Sequence, residues 1–303
     1  MHATHAPRRL LVIFVVLCAL VPGLVVTPPS VQATYAGRNG LLVFGIRVEG
    51  NMDLYSVRPN GHALHRLTTD PGFDACAAFS PDGKEIAFCS NRSGAFEIWI
   101  MKQNGAGQRQ VTRIGGRMIF PDFSPNGTKV VFNGTLAGET ESDIFVANVD
   151  GSNLARLTTA PGDDQYAAWS PDGRSIVFIS ARTGSGQVWM MNADGGDQRQ
   201  LTFDASGKDQ VPDWKPDGTR IAYECAPAIC VMNPDGSDQV QLTTPTGEAY
   251  DFGPAWSPNG NKVAFLHYGR DEGDIFTMRA DGTKRTRITR NRKWEGFPDW
   301  QSR

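Results

Sequence analysis

The sequence lacks an excess of charge of either sign, and it lacks the motifs that mark common enzyme classes. Its 303 residues include 30 Lys and Arg, 32 Asp and Glu and 5 His, for a formal net charge of −2. Without a basic excess, nucleic-acid binding has no electrostatic support. No Gly-x-Ser-x-Gly or His-Glu-x-x-His motif occurs, so neither a serine-hydrolase elbow nor a metalloprotease helix is indicated.

The sequence also lacks apolar segments with the period of an α-helix, apart from one run near the N-terminus. It holds 33 glycines and 19 prolines, residues that favour tight turns. Hydrophobic residues make up 40% of the chain, which is enough for a substantial core. The composition therefore favours an all-β protein with many short loops.

Residues 1–33 differ from the rest of the chain. Arg8 and Arg9 precede an apolar run of 17 residues, LLVIFVVLCALVPGLVV, and small residues follow at the positions that a signal peptidase recognises, ending at Ala33. This pattern predicts a signal peptide cleaved after Ala33 and export to the periplasm or the extracellular space. The alternative is an uncleaved membrane anchor, although the run is short for a span and a proline and a glycine interrupt it.

Four of the five cysteines lie beyond this segment. Cys225 and Cys230 flank a predicted hairpin loop, where a disulfide would staple a short connection, and an exported chain permits disulfides. Cys76 and Cys89 belong to two paired strands of another predicted hairpin. Counting outward from the turn places their side chains on opposite faces of the sheet, so we expect free thiols there.

One pattern recurs six times along the chain. AAFSPDGKEIAFCS at 77–90, AAWSPDGRSIVFIS at 167–180 and PAWSPNGNKVAFLH at 254–267 are three copies of its central part. A Leu-Thr pair, or its equivalent, recurs every 41 to 46 residues, and an Asn-Gly or Asp-Gly turn stands about six residues before each pair. Three markers in one phase indicate a repeat architecture.

Each repeat predicts four short antiparallel strands, the size of one propeller blade. The first strand ends in an aromatic residue, a Pro-Asp-Gly turn leads to the second, and an Asp-Gly turn separates the third from the fourth. The aromatic residues that end the first strands are Phe79, Phe123, Trp169, Trp214, Trp256 and Trp300. Trp294 lies outside the tryptophan positions of the repeat, so we expect it to be exposed.

The two ends of the chain distinguish a ring from a stacked solenoid. The first repeat has strands two, three and four but no first strand, whereas the last segment, KWEGFPDWQSR, is a first strand with Trp300 in the aromatic position. The two fragments together make one repeat, which predicts circular closure and leaves no open sheet edge. We therefore predict that residues 34–303 form a single all-β domain, a six-bladed β-propeller whose blade 1 is closed by the C-terminal strand.

The residues of the repeat resemble a known family. Aromatic-Ser-Pro-Asp-Gly, Ile-Ala-Phe, Ile-Trp or Ile-Phe, Asp-Gly and Leu-Thr, in that order, are similar to the TolB-like, WD-related β-propeller repeat. The resemblance covers residues 39–303 and implies that the first strand of each blade lines a central channel. It is limited to the propeller, because the separate α/β domain that precedes the propeller in TolB has no counterpart between Ala33 and the first blade.

Acidic residues stand five positions before the aromatic residue in five of the six repeats, with Met118 in the sixth. They are Asp74, Asp164, Asp209, Asp251 and Glu295. The family geometry implies that they gather at one mouth of the channel. There they would bind a cation such as calcium, or a basic peptide segment. The alternative is that each carboxylate caps a loop by accepting backbone N–H groups.

A second acidic pattern alternates with alanine in the position just before the aromatic residue. Alanine occupies this position in repeats two, four and six, and the remaining repeats carry Asp122, Asp213 and Asp299. With one carboxylate on every second blade, the three together would suit one cation or a small polar ligand. The alternative is descent from a duplicated two-blade unit, without a present role.

Three functions remain open on the sequence. The preferred one is an exported, non-enzymatic, monomeric scaffold that binds a protein or peptide partner at the central channel, as the TolB-like resemblance implies. The alternative is a lyase or hydrolase that acts on a glycan or lactone in the channel with the help of a metal. A third is a stand-alone relative of the propeller that gates prolyl peptidases. We expect no nucleic-acid partner, and membrane contact only through an uncleaved signal segment.

Overall fold

The computed structural model describes residues 37–204, 209–269, 273–290 and 293–303. All of them belong to one compact unit. The predicted signal peptide and its cleavage point after Ala33 lie outside the described residues. Among the residues that the structure describes, no helix has the length and apolar character needed to cross a bilayer.

The described residues form 24 strands, grouped in six antiparallel sheets of four that we call blades 1 to 6. Blade 1 pairs its strands in the order β24 (Asp299–Ser302), β1 (Asn39–Val48), β2 (Asn51–Val57) and β3 (His65–Arg66). Blade 2 consists of β4 (Asp74–Phe79), β5 (Glu85–Ser90), β6 (Glu97–Lys102) and β7 (Arg109–Gln110). Blade 3 consists of β8 (Arg117–Phe123), β9 (Lys129–Thr135), β10 (Asp143–Asn148) and β11 (Ala155–Arg156).

The second half of the chain repeats this order. Blade 4 consists of β12 (Asp164–Trp169), β13 (Ser175–Ser180), β14 (Gln187–Asn192) and β15 (Arg199–Gln200). Blade 5 consists of β16 (Asp209–Trp214), β17 (Ile221–Cys225), β18 (Ala228–Met232) and β19 (Val240–Gln241). Blade 6 consists of β20 (Tyr250–Trp256), β21 (Lys262–Tyr268), β22 (Gly273–Arg279) and β23 (Thr286–Arg287).

The C-terminal strand closes the ring. β24 pairs antiparallel with β1, with Trp300 opposite Leu42 and Asp299 opposite Val43. The first strands β24, β4, β8, β12, β16 and β20 contact one another in succession, and β24 contacts both β4 and β20. The prediction of an all-β, six-bladed β-propeller with blade 1 completed by the C-terminal strand is therefore confirmed.

The core is divided among the blade interfaces. Six clusters of buried side chains each draw mainly on two adjacent blades. The cluster between blades 6 and 1, for example, contains Leu42, Phe44, Leu266 and Trp300. Burying one large apolar side chain contributes about 1.5–3 kcal/mol, so each blade depends on its neighbours for stability.

The repeated turn after the first strand is built by side chains as well as by glycine. Ser80 Oγ donates to Asp82 Oδ1 at 2.8 Å, and the same carboxylate oxygen accepts the Lys84 N–H at 3.1 Å. Gly83 adopts φ +67°, a conformation that glycine tolerates without a steric cost. These contacts fix the hairpin between β4 and β5.

The threonine of each Leu-Thr pair also has a structural role. Its Oγ1 accepts a backbone N–H from the third strand of its own blade at 2.8–3.0 Å. In blade 3, Thr158 Oγ1 accepts from Ile144 and donates to Asp143 Oδ1 at 3.1 Å. The threonine therefore satisfies a buried N–H group beside a two-residue fourth strand, which explains its recurrence.

The first strands carry a feature that the repeat pattern did not indicate. In blades 2 to 6 the pairing register between the first and second strands shifts, as in a β-bulge. In each of these blades, the residue two positions after the acidic position, which Met118 occupies in blade 3, has a positive φ between +47° and +60°. A bulge redirects side chains that regular alternation would place elsewhere.

The bulge corrects one prediction about the cysteines. Cys76 and Cys89 are free thiols, but their expected position on opposite faces is wrong. Cys76 lies at the bulge with φ +55°, and its Sγ is 2.8 Å from Cys89 Sγ. In blade 5, Cys225 and Cys230 are joined by a disulfide across the β17–β18 hairpin.

Candidate functional site

The predicted acidic set lies where the first strands begin, at the end of the channel that we call the N-terminal mouth. Asp74, Asp164 and Asp209 are the first residues of their strands, Asp251 is the second residue of β20, and Glu295 precedes β24. All five side chains are buried, with at most 1% of their surface exposed. A buried carboxylate needs a partner, so its contacts decide what it does.

Asp74 and Asp164 each bind an arginine of their own blade. Arg92 Nη2 lies 2.7 Å from Asp74 Oδ2, and Arg182 Nη2 lies 2.9 Å from Asp164 Oδ2. Each guanidinium also lies over the tryptophan of the third strand, at 5.0 and 4.6 Å from the ring. Burial raises the pKa of both carboxyl groups, while the arginine and nearby hydroxyl groups oppose the rise. A cation held between a carboxylate and an aromatic ring is thus part of blades 2 and 4.

Asp251 and Glu295 are also engaged. Asp251 Oδ1 lies 2.8 Å from Arg285 Nη2 and 2.6 Å from His267 Nδ1. Glu295 Oε2 accepts the Ile275 N–H at 3.0 Å and the Thr289 hydroxyl at 2.5 Å. Glu295 therefore contacts a backbone N–H group, as a capping carboxylate does.

Asp209 differs from Asp74, Asp164 and Asp251 because no arginine of blade 5 binds it among the described residues. The loop between β17 and β18 is the short disulfide-closed hairpin, in place of the longer arginine-bearing loops of blades 2 and 4. Within the part of the chain that the structure describes, Asp209 Oδ2 is buried without a hydrogen-bond partner. Burial raises the pKa of Asp209 to about 6, the Thr202 hydroxyl opposes this, and the charge of Asp204 adds to it.

Glu224 lies on β17 opposite Gln210, the residue after Asp209. Burial raises the pKa of Glu224 to about 7, and the charge of Asp209 adds to the rise. Blade 5 therefore holds two carboxyl groups that interact electrostatically, and neither of them forms a salt bridge with a described basic side chain.

The alternating aspartates tie the blades together in pairs. Asp122, Asp213 and Asp299 are half-buried. Their Oδ2 atoms accept hydrogen bonds of 2.6–2.8 Å from the N–H groups of aromatic residues in the following blade, Trp169, Trp256 and Phe79. The blades that receive these bonds are the blades that carry alanine in the aspartate position. The alternation thus joins blade 3 to 4, 5 to 6 and 1 to 2.

These three carboxylates also influence one another. Burial raises the pKa of Asp213 well above its usual range, the Trp256 N–H opposes this, and the charges of Asp299 and Asp122 raise it further. Burial likewise raises the pKa of Asp299 to about 6, against the effect of two backbone N–H groups. No group of three or more His, Cys, Asp or Glu side chains among the described residues is arranged to hold a metal ion.

Aromatic rings meet across the channel near its N-terminal mouth. They stand at the bulge position of the first strands, whose six occupants are Cys76, Phe120, Tyr166, Val211, Gly253 and Phe297. Phe297 of blade 1 lies 5.5 Å from Phe120 of blade 3 and 6.3 Å from Tyr166 of blade 4, measured between ring centroids. Phe120 and Tyr166 are 4.5 Å apart. We call Phe120, Tyr166 and Phe297 the aromatic seal.

The seal depends on a glycine. A Cβ atom at Gly253 would lie 2.2 Å from Phe297 Cδ1, closer than any real contact permits. Gly253 has φ +60°, so both its backbone and its lack of a side chain suit this position. The small residue of blade 6 makes room for the ring of blade 1.

A pocket of about 430 Å³ lies beside the seal. Its walls are aromatic and come from blades 6 and 1, namely Tyr250, Phe252, Tyr268, Trp294 and Phe297. Gln210 and Glu224 of blade 5 supply its polar groups. Trp294 is 40% exposed and Tyr250 is 45% exposed, which confirms the expectation for Trp294. We call this cavity the mouth pocket.

A larger cavity of about 1250 Å³ lies at the other end of the first strands, where the Pro-Asp-Gly turns stand. Its lining includes Ser80, Asp82, Asn126 and Arg303, with Arg58, Lys84 and Lys102 around them. This cavity is open, and no phenylalanine, tyrosine or tryptophan is among the described residues that line it.

The seal and the mouth pocket were not predicted. The bulge position stands three residues before the aromatic residue of each repeat, and aligning the repeats shows phenylalanine or tyrosine there in three of them. The same alignment shows that blade 5 lacks the arginine, because the sequence CAPAIC at 225–230 stands where blades 2 and 4 have a longer loop that contains one. What the sequence did not reveal is that rings from separate blades meet.

The chain is similar to known proteins over most of its length. The model of the TolB beta propeller domain matches residues 35–132 and 105–302. A protein TolB homolog from Chlorobium luteolum is 31% identical over 158 residues, which are 52% of this chain and 35% of the relative. The Tol-Pal system protein TolB from Bordetella pertussis is 44% identical over 57 residues, which are 18% of this chain and 13% of that protein.

A solved structure supports the fold. The crystal structure of TolB from Acinetobacter baumannii matches with a TM-score of 0.76 at 22% identity, covering 87% of this chain and 67% of that one. The aligned part spans about a third of the length of the Chlorobium relative. Six closed blades and two family matches that overlap across them lead to one assignment: the chain belongs to the TolB beta propeller domain family.

Proposed function

We propose that this protein is an exported, non-enzymatic scaffold that binds a protein or peptide partner at the N-terminal mouth of its channel. The observation that carries the proposal is the mouth pocket beside the aromatic seal, with Tyr250 and Trp294 exposed at its rim. Exposed aromatic side chains around a concave site are typical of protein-binding surfaces. A partner would contact this mouth and the seal rather than thread through the ring.

Export is part of the proposal. The N-terminal pattern of two arginines, an apolar run and small residues supports it, and so does the disulfide between Cys225 and Cys230, a bond that persists in oxidising compartments. The name of the Bordetella relative, a Tol-Pal system protein, is consistent with a role in an assembly. The lyase or hydrolase alternative is not proposed, since no observation on the described residues favours it.

Site-specific crosslinking tests the proposal. A photo-crosslinkable amino acid at Tyr250 is expected to give a discrete adduct in the exported fraction of the source organism. The same amino acid at Leu154, which is 46% exposed on blade 3, is the matched control. The partner, identified by mass spectrometry and purified, should then bind the wild-type propeller in calorimetry and lose affinity for Trp294→Asp. Equal labelling from both positions, or none from Tyr250, would refute partner binding at this mouth.

A further inference from the structure

Within the described part of the chain, the mouth pocket has a carboxylate and aromatic walls but no lysine or arginine. The described residues that line it include five aromatic rings, one amide and Glu224, and no lysine or arginine. A ring face attracts cations through its quadrupole, and a nearby carboxylate strengthens that attraction. The lining is therefore complementary to a positively charged group with an apolar surface.

Other blades of the same molecule show what such a combination holds. Arg92 lies between the Trp99 ring, at 5.0 Å, and the Asp74 carboxylate, at 2.7 Å. In blade 6 the Arg285 guanidinium lies 4.8 Å from the ring of Phe276 and bonds Asp251. Wherever these blades place a carboxylate next to rings at the N-terminal mouth, an arginine of the chain fills the gap.

Blade 5 departs from this rule. Its short hairpin brings no arginine, and Asp209 Oδ2 is left buried without a hydrogen-bond partner among the described residues. Asp209 also interacts electrostatically with Glu224, which faces the mouth pocket. An unpaired buried carboxylate is costly, and a cation bound in the pocket would reduce that cost through Glu224 and Asp209 together.

We propose that the mouth pocket is a binding site for an organic ammonium group, held by the aromatic walls and by the carboxylate of Glu224. The group would be either the side chain of a lysine in a peptide or a free alkylammonium compound. A pocket of about 430 Å³ admits a group of that size with its alkyl stem. This inference rests on the proposed function in one respect, because it names the chemistry that the same mouth recognises.

Calorimetry with defined probes tests the inference. The probes are choline, its neutral isostere 3,3-dimethylbutanol, and a short peptide with one lysine compared with the same peptide carrying norleucine. The measurements are made at pH 8, where the carboxyl group of Glu224 is ionised because its pKa is about 7. At least one ammonium probe is expected to bind at least about tenfold more tightly than its neutral counterpart. Which probe binds identifies the source of the group.

Three variants assign the binding to the pocket. Glu224→Gln and Trp294→Ala should each weaken ammonium binding by about tenfold, whereas Val240→Ala should leave it unchanged. Val240 lies on the outer strand of the same blade and is 44% exposed, so it controls for folding, which thermal melts of all three variants verify. The inference is overturned if the neutral probes bind as tightly as the charged ones, or if Glu224→Gln binds like the wild type.

The two proposals fail separately. A crosslinked partner at Tyr250 without any preference for ammonium probes would overturn this inference and leave the scaffold proposal intact. Ammonium binding that Glu224→Gln abolishes, together with no adduct at Tyr250, would overturn the scaffold proposal and support this inference.

Discussion

Gly253 occupies the same repeat position as Phe120, Tyr166 and Phe297, and its missing side chain leaves the space that Phe297 fills. Single residues in the repeat thus decide what the mouth contains. In the same way, Asp209 has no arginine partner among the described residues, whereas the equivalent carboxylates of blades 2 and 4 each bind one. Differences between copies, rather than the shared pattern, create the candidate site.

Replacing Gly253 with alanine is expected to destabilise the protein by at least about 2 kcal/mol, because the new Cβ atom would overlap the Phe297 ring. Gly50→Ala is the matched control. Gly50 also has positive φ, at +87°, but nothing lies within 4 Å of its would-be Cβ atom. Urea unfolding of both variants gives the difference, and equal losses in the two would show that backbone strain alone is responsible.

The pKa of Asp299 predicts how stability responds to pH. A carboxyl group whose pKa rises to about 6 on folding binds more protons in the folded state, so its contribution to stability falls as pH rises from about 4 to about 6. Asp299→Asn stays neutral and can still accept the Phe79 N–H. The wild type should therefore lose stability relative to Asp299→Asn when unfolding is measured at pH 7 instead of pH 4.

Asp150 gives the opposite sign for comparison. Hydrogen bonds from Ser152 lower the pKa of this exposed carboxyl group, so its contribution is present at neutral pH and is lost as pH falls through the lowered pKa. The wild type should gain stability relative to Asp150→Asn as the pH rises from about 2 to about 4, and the difference should stay nearly constant above that pH. A pH profile of Asp299→Asn that parallels the wild type would contradict the elevated pKa of Asp299.

At the scale of strands and turns, the bulge in the first strands of blades 2 to 6 causes the main departure from regular side-chain alternation. It turns Cys76 toward Cys89 and places Phe120 and Tyr166 at the axis with φ +54°. Non-glycine residues in this conformation cost about 1–3 kcal/mol each. The surrounding pairing and packing must compensate for that cost, and the result is a set of side chains pointing to the channel.

Oxidised glutathione is expected to convert the Cys76 and Cys89 thiols into a disulfide. The two thiols lose two protons and two electrons, the bond between Cys76 Sγ and Cys89 Sγ forms, and the disulfide of oxidised glutathione is reduced to two thiols. Burial raises the pKa of the Cys89 thiol, so the reaction should be faster at pH 9 than at pH 7. Thiol titration of the folded protein should show both groups lost together, and Cys76→Ser should keep one thiol. Independent loss of one thiol in the wild type would disprove the contact.

Much of the fold could be predicted from the sequence, because turns such as Ser80-Pro81-Asp82-Gly83 and the aromatic Trp300 carry local signals that repeat. The bulge could not, since one extra residue in a strand leaves the turn and aromatic markers unchanged. The candidate site was predicted in part. The positions of Asp74 and Asp209 were found, but whether an arginine reaches each of them depends on loop conformation.

At the scale of the whole ring, closure joins segments that are far apart in sequence. The Arg38 N–H donates to the Arg303 carbonyl at 2.8 Å, and the Arg303 N–H donates to the Arg38 carbonyl at 3.0 Å. β24 also completes the interfaces of blade 1 with blades 2 and 6. Blades 1, 2 and 6 therefore depend directly on the last strand.

Deletion of residues 296–303 should abolish cooperative thermal unfolding, because it exposes one edge of β1 and the apolar faces of two neighbouring blades. A circular permutant is the control. It carries 296–303 ahead of residue 38 through a short glycine-serine linker, and it should keep its Tm within a few degrees of the wild type. A truncated chain that melts like the permutant would show that the ring does not need its last strand.

The aromatic seal has a consequence for the three aspartates that bridge the blades. Asp122 and Asp299 stand two residues after Phe120 and Phe297 along their strands, on the side of the seal that faces the Pro-Asp-Gly turns. We expect the three rings to block the channel, which would make it a blind well that is open to solvent from the turn side only. Protons, ions and small solutes would reach these carboxylates from that side alone, so the two ends of the ring sample different solutes even when they share one solution.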